Sequence, residues 1–345
     1  MKVDDPNHAS VPHRASAGLR VAVVGAGISG LGCARTLADH GYRVRVFDKA
    51  RGAGGRMSTR RAGAWRFDHG AQYFTVRDPG FRARVAAWRR DGLVAPWTGR
   101  IAVLDGGMTV MQADDTERLV AVPGMNALCR HLARDLGISY ETRVASLERT
   151  ADRWRLGSSD GRDLGDFDAV VVSAPAPQAA DLLLGAAPQL AARAGAVAMS
   201  PCWAVMAAFA EPLAFGFDGA FVHRSPLAWV ARNASKPGRP EGEAWVLHGS
   251  PGWSQDNLEV EPAEAAARLL EAFDEAAGGL GSTPAHLEAH RWRYALPQAP
   301  LAQPCLVDAG RLLAVCGDWC GGPRVEGAFL SGSAAAQRLL EIAAG

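Results

Sequence analysis

The sequence predicts an α/β protein of two interleaved domains, and three observations predict it. Val21–Lys49 reads as strand, glycine-rich turn, helix, strand and acid in that order. Far along the chain, Leu312–Leu340 reads as strand, glycine-rich turn and helix. Between them, residues 201–306 change to an antiparallel-strand pattern with one long helix over Pro262–Ala277. At 345 residues and 48% apolar content the chain is long enough for two domains and a sizeable core.

The first segment carries Gly25, Gly27 and Gly30 as Gly-x-Gly-x-x-Gly, with Asp48 at the end of the next apolar strand. Each part has a separate task. Gly25 permits the tight turn, Gly27 lets a pyrophosphate approach the backbone, and Gly30 lets the helix pack against the sheet. The helix opening at Ile28 and Ser29 offers free N–H groups and a positive dipole end to phosphates. Asp48, followed by Lys49, is placed to accept hydrogen bonds from a ribose. The segment therefore predicts a dinucleotide site.

The residues that follow favour flavin over nicotinamide. A nicotinamide-binding domain would run on into further α/β repeats. Here Gly52, Gly54 and Gly55 form a second glycine-rich loop with Arg56 and Met57, and then comes Phe67–Phe74, with Gly70, Ala71, Gln72 and Tyr73. Such a loop can wrap a large extended ligand. Arg56 can fork onto its pyrophosphate or hold the loop by bidentate contacts. Near the C-terminus, Asp318 can bind a ribityl hydroxyl or cap backbone N–H groups. The helix start at Glu326, Gly327 and Ala328 directs partial positive charge at the ligand's pyrimidine end. The expected cofactor is FAD.

Between these motifs, Asp78 and Pro79 start a helix through residue 91 with Phe81, Val85 and Trp88 on one face. Residues 101–122 predict one or two hairpins turning at Asp105-Gly106-Gly107, and Pro123-Gly124-Met125 opens a helix through Leu136. Residues 140–177 predict a strand meander with a tight turn at Asp160-Gly161. Strands are expected over Trp203–Ala210, Ala220–Val222, Ala228–Asn233 and Ala244–Leu247.

The glycine triplet, the GGRM loop, DHGAQYF and GDW…EGAFLSG together resemble the FAD-dependent amine oxidase and phytoene desaturase superfamily. AQYFTVRDPGF, WVLHGSPGWS and HRWRYALP make the chain most similar, within it, to bacterial renalase-like proteins. The resemblance runs from Leu19 to about Leu340. It implies a two-dinucleotide-binding (glutathione-reductase-like) FAD domain with an inserted α+β substrate domain on an antiparallel sheet. Residues 18–78, 120–198 and 308–345 would form the first, and 79–119 and 199–307 the second. It also implies Val144 beside the adenine, and Gly124 and Met125 near the flavin ring. Superfamily amine oxidases hold a water to flavin N5 through a lysine. The lysines here are Lys2, Lys49 and Lys236, and none lies in a segment expected there. Renalases oxidise 2- or 6-dihydro isomers of NAD(P)H back to NAD(P)+ and pass electrons to O2, giving H2O2. Amines or polyenes, or a flavin without turnover, are the competing expectations.

The aromatic content of the substrate region supplies candidates for the chemistry. Trp229, Trp245, His248, Trp253, Trp292 and Tyr294 are expected to form a wall that stacks a flat ring. His248 can hydrogen-bond a carboxamide. Trp292 and Tyr294 share a face if their segment is a strand. Tyr73 and Gln72 follow the flavin loop, with His69 a weaker candidate. His248, Trp292, Tyr294 and Tyr73 are the expected catalytic set.

A net charge of +1 excludes an electrostatic nucleic-acid binder. Of 37 basic residues, 34 are arginine. The first 17 residues are polar and read as a disordered leader without a signal-peptide core. No stretch reaches the roughly 18 uncharged apolar residues of a membrane span, so a cytoplasmic protein with no membrane partner is expected. Cys33, Cys129, Cys202, Cys305, Cys316 and Cys320 are scattered, without zinc-site spacing, and are expected as reduced structural thiols.

Overall fold

A computed structural model describes residues 18–344 other than Asp114. The leader expected over residues 1–17 lies outside the described residues. One sheet has six strands in the order 306–308, 313–315, 169–172, 20–24, 43–47, 137–139. All neighbours are parallel except the first pair. Its strands alternate between two buried faces, as covered parallel sheets do. Val21, Val23, Val46, Val171 and Ala314 pack in one core with the helices Ile28–Asp39 and Val325–Ala344. Ala22, Phe47, Val170, Val172, Leu313 and Val315 pack in another with Trp154, Leu156, Leu164 and Phe167. Those last residues come from the antiparallel meander Val144–Thr150, Arg153–Ser158 and Asp163–Phe167.

Register positions the site. Val24, Val172 and Val315 pair at one level, at the carboxyl ends of three adjacent strands. The chain leaves them as the turns at Gly25, Ser173 and Gly317. Segments nearly 300 residues apart thus open onto one crevice, the usual ligand position in open α/β sheets.

The second sheet has seven strands in the order 286–297, 199–209, 243–249, 227–232, 219–223, 101–105, 108–111. Every pair is antiparallel except 101–105 with 219–223. Trp203, Val205, Phe209, Val230, Trp245 and Leu247 bury one face against Leu269 and Phe273 of the helix Pro262–Ala277. On the other face Met206, Ala208 and Val246 meet Phe67.

Two elements differ from the sequence expectation. The helix expected through Leu136 is only Ala127–Leu132, and Gly137–Ser139 becomes an edge strand beside Arg43–Phe47. Leu119–Ala121 pairs with Val94–Pro96 instead of closing a second hairpin. In both cases tertiary pairing overrides local propensity.

Candidate functional site

A cleft of about 2130 Å³ runs between the two sheets and is lined by both Asp48 and Asp318. It exceeds the roughly 300–1,000 Å³ of an ordinary small-molecule pocket, so an extended dinucleotide and a second molecule both fit. At its first end, Asp48 accepts from the backbone N–H of Ala26 and of Ala50, at 2.6 and 2.7 Å. This ties the acid to the glycine turn.

The three glycines differ in what replaces the missing side chain. A Cβ on Gly25 would collide with the Ser173 carbonyl, and one on Gly30 with the Gly25 carbonyl. A Cβ on Gly27 would meet nothing within 4 Å, and Gly27 lines the cleft. Its bareness leaves the cleft open at that point. Among the described residues no side chain caps the helix starting at Ile28, so its first N–H groups are free for an anion. Ile28, Ser29, Lys49 and Val144 line the same end, and Lys49 Nζ lies 3.3 Å from the Gln178 side-chain oxygen. Burial, and then the charge of Arg143, lower the Lys49 pKa.

The second loop lies directly on the first, through a bridge between Gly27 and Gly54. Gly55, Arg56, Met57, Gly70, Ala71, Gln72 and Tyr73 all line the cleft, as do Asp318 and Ala328. Arg56 takes the loop-holding role. It forks onto Asp318 at 2.6 and 2.7 Å and donates to the Ala295 carbonyl at 2.8 Å. These residues, the open Gly27 cradle and the uncapped helix fit an FAD laid along the cleft.

Several expected site residues lie elsewhere. Gly30, the packing glycine of the turn, does not line the cleft. Glu326 is buried outside the cleft and accepts the N–H groups of Arg77 and Asp78, both at 2.7 Å. Gly327 sits against the Gly321 and Gly322 carbonyls, where no Cβ fits. Gly124 and Met125 pack on Thr59 and Asp68 rather than on the cleft. Trp245 points to the helix side of its sheet, against Phe215, Phe217 and Phe273, and Trp253 packs in that same core.

The far end of the cleft is set by sheet register. His290 pairs with Ala204, Ala204 with His248, His248 with Trp229, and Trp229 with Phe221. This row crosses five strands, and all but the small Ala204 line the cleft. Trp292 and Tyr294 continue the His290 face two and four residues on. His69 stacks on Trp292 at 5.0 Å and meets His290 edge-on at 5.0 Å. Tyr73 lies 5.6 Å from Trp229. His290 escaped the sequence reading, although the spacing 290, 292, 294 would have found it. His69 proves central.

These histidines are uncharged. Burial, with His290 and Arg60 beside it, pushes His69 down to about 3. Burial lowers His248 to about 4 despite its bond to the His69 backbone. Burial and then Arg60 lower His290 to about 4. Ten arginines and Lys49 line the cleft with Asp48, Asp181 and Asp318 among the described residues; Arg56 is paired with Asp318, Arg60 with Glu288, and Arg291 and Arg293 with Glu259.

Lys236 lies beside this end of the cleft. It is fully enclosed, and its Nζ donates to Gln72 Oε1 at 3.0 Å and Asn233 Oδ1 at 3.1 Å, just behind the cleft wall. Asp68 lies 3.9 Å away and is held by Arg239 at 2.6 Å. Burial lowers Lys236 to about 7, with Asp68 opposing and Arg239 assisting. The six cysteines are free thiols. Burial raises the pKa of each, which keeps them unreactive. Among the described residues no metal-binding cluster exists, and no helix is long and apolar enough to cross a membrane.

A Rossmann-like sheet whose glycine turn faces a second glycine loop, under a sheet of neutral aromatics, defines a flavin-dependent α/β oxidoreductase. Residues 23–89 match the NAD(P)-binding Rossmann-like domain, and residues 103–340 match the flavin containing amine oxidoreductase family. The chain belongs to that family, and its cofactor is FAD. Cyclohexylamine oxidase from Brevibacterium oxydans IH-35A superposes with a TM-score of 0.73 at 14% identity, covering 94% of this chain and 99% of that one. Putrescine oxidase bound to putrescine gives 0.72 at 12% identity, with the same coverage. At such identities the likeness concerns the fold. A 4,4'-diapophytoene desaturase of Staphylococcus haemolyticus (strain JCSC1435) is 42% identical over 60 residues, 17% of this chain and 12% of its own length. A 1-hydroxycarotenoid 3,4-desaturase of Flavobacterium sp. (strain P99-3) is 43% identical over 54 residues, 16% and 11%. The alignments thus span about an eighth of these curated relatives.

Proposed function

We propose that the protein oxidises 2- or 6-dihydro isomers of NAD(P)H to NAD(P)+, with O2 as terminal acceptor. The donor loses a hydride. O2 gains its two electrons and proton, plus one proton from solvent, and becomes H2O2. Bound FAD supplies the hydride acceptor. The chain's own residues supply binding and orientation. Asp48, Gly27, the helix start at Ile28 and Val144 would hold the adenosine and pyrophosphate end of the cofactor, while Gly70, Ala71 and Ala328 would border its ring. Trp292, Tyr294, Trp229 and Tyr73 form a chamber for a flat ring, and the neutral His248 bonds its substituent. No general base is needed, because the donor already carries the hydride it loses.

The observation that carries this reading is the charge of the cleft. Arg51, Arg61, Arg77, Arg143 and Arg324 line the cleft with no ion pair among the described residues, and this excess favours a polyanion. A second dinucleotide brings a pyrophosphate, whereas a protonated amine is repelled. The test is anaerobic mixing of the yellow protein with borohydride-generated NADH isomers. Rapid bleaching by the 2- or 6-dihydro forms, and slow bleaching by ordinary NADH, supports the reading. Failure of every isomer to bleach the flavin rejects it.

Amine oxidation is the second reading, and Lys236 is what favours it. The lysine reaches the cleft wall through Gln72, as a residue governing a flavin-bound water could. Rapid bleaching by a monoamine in the same experiment would select it.

A further inference from the structure

We infer that His248 fixes the substrate's ring substituent: it presents Nδ1 as a hydrogen-bond acceptor and selects a ring that bears an N–H donor. The inference rests on the nicotinamide reading and deepens it, the donor being the carboxamide of the dihydronicotinamide. The argument begins at one carbonyl. The His69 backbone oxygen receives Trp292 Nε1 at 2.9 Å and His248 Nε2 at 3.2 Å. An indole N–H only donates, and a carbonyl oxygen only accepts, through two lone pairs. Both partners of this oxygen are therefore donors, and the His248 proton sits on Nε2. The other tautomer would set a bare nitrogen lone pair against a carbonyl oxygen.

The carbonyl cannot turn away. Neighbouring Asp68 is fully buried and gripped by Arg239 at 2.6 Å, Thr59 at 2.7 Å and the Met125 N–H at 2.9 Å. Its own N–H donates to Asn233 at 3.2 Å. The Gln72 side chain holds the other flank through Gly70 O at 3.1 Å and Lys236. A neutral imidazole with its proton on Nε2 has a bare Nδ1. That atom makes no hydrogen bond among the described residues, and the side chain lines the cleft between Trp229 and His290. A second unpaired nitrogen stands in the same wall: His69 Nδ1 is buried without a hydrogen-bond partner among the described residues. An imidazole acceptor at a stacking wall takes an amide N–H. It offers nothing to a methyl ketone of the same shape.

The test compares dihydro isomers of NAD with those of its 3-acetylpyridine analogue, in which a methyl replaces the amide nitrogen. Wild-type kcat/KM ratios are set against those of His248→Phe and His248→Gln, each with its flavin content and melting temperature checked. The wild-type preference for the carboxamide should fall at least 10-fold in His248→Phe. Part of it should survive in His248→Gln, which keeps one donor and one acceptor. An equal ratio in wild type and His248→Phe overturns the inference alone. No bleaching of wild type by any isomer overturns the functional reading and this inference together. Nitrogen NMR of the holoenzyme gives an independent check, since a proton found on His248 Nδ1 overturns the assignment without reference to activity.

Discussion

Arg56 and Asp318, 262 positions apart, share a two-pronged ion pair at 2.6 and 2.7 Å. The carboxylate is almost enclosed, with 7% of its side chain exposed, while the guanidinium keeps 30%. Removing one partner of an enclosed pair typically costs about 3–5 kcal/mol, because the other charge is left without compensation. Arg56→Ala should therefore lower both the melting temperature and the flavin absorbance per chain. Arg56→Lys should recover little, since an ammonium cannot make the fork. Arg56→Ala combined with Asp318→Asn should be more stable than Arg56→Ala alone. Additive losses in this cycle would show that the pair does not join the two loops.

Gly27→Val should leave a folded protein without yellow colour. The side chain enters open cleft rather than packed protein, so the melting temperature of the apoprotein should barely change. Gly30→Ala should do the reverse and unfold the segment, because its Cβ meets the Gly25 carbonyl. Visible absorbance and thermal melts of the two variants separate the roles. Full flavin occupancy in Gly27→Val would count against the pyrophosphate position.

This contrast shows what the sequence could and could not reveal. The helix Pro262–Ala277 and the three-stranded meander were legible because their patterns are local. The glycine turn was legible because its spacing encodes a geometry. The burial of Lys236 was not legible, since Pro237 and Gly238 beside it suggest an open loop. Its burial depends on Asp68 and Gln72, more than 160 residues earlier. Trp245 and His248 are three residues apart on one strand and face opposite ways. Composition suggested one aromatic wall; the period of two along the strand divides it. The row from His290 to Phe221 depends on pairing register across five strands, which no single segment contains.

Glu326 provides a further check, because the sequence pattern placed it in the helix start that faces the cofactor. Its carboxylate instead closes two backbone N–H groups that precede the helix Pro79–Arg90. Glu326→Ala should lower stability by about 1–3 kcal/mol, the usual cost of leaving buried polar groups unpaired. The reduction potential of the bound flavin should not move. Denaturant melts and a redox titration measure the two quantities, and a shifted potential at unchanged stability would return Glu326 to the cofactor.

Lys236 makes a prediction about pH. Its folded pKa of about 7 lies below the value of about 10.4 expected in an unfolded chain. Between these values the unfolded state binds a proton that the folded state lacks, so stability rises with pH, by at most about 1.4 kcal/mol per unit. Below about 7 both states are protonated and this contribution is flat. Other groups are kept out of the comparison by choice of window. His69, His248 and His290 titrate lower. The buried thiols act in the opposite sense above about 8.5. Asp68 faces Lys236, and Lys236 and Arg239 hold its carboxyl below the usual range against its burial, so it stays ionised across the window. Lys236→Met removes the proton and costs Gln72 and Asn233 one donor at every pH. The melting temperature of the variant minus that of wild type should therefore fall steadily from pH 7 to 8.5. A difference that stays constant across that window would mean that Lys236 holds its proton in the folded protein, and that the carboxylate of Asp68 outweighs the burial.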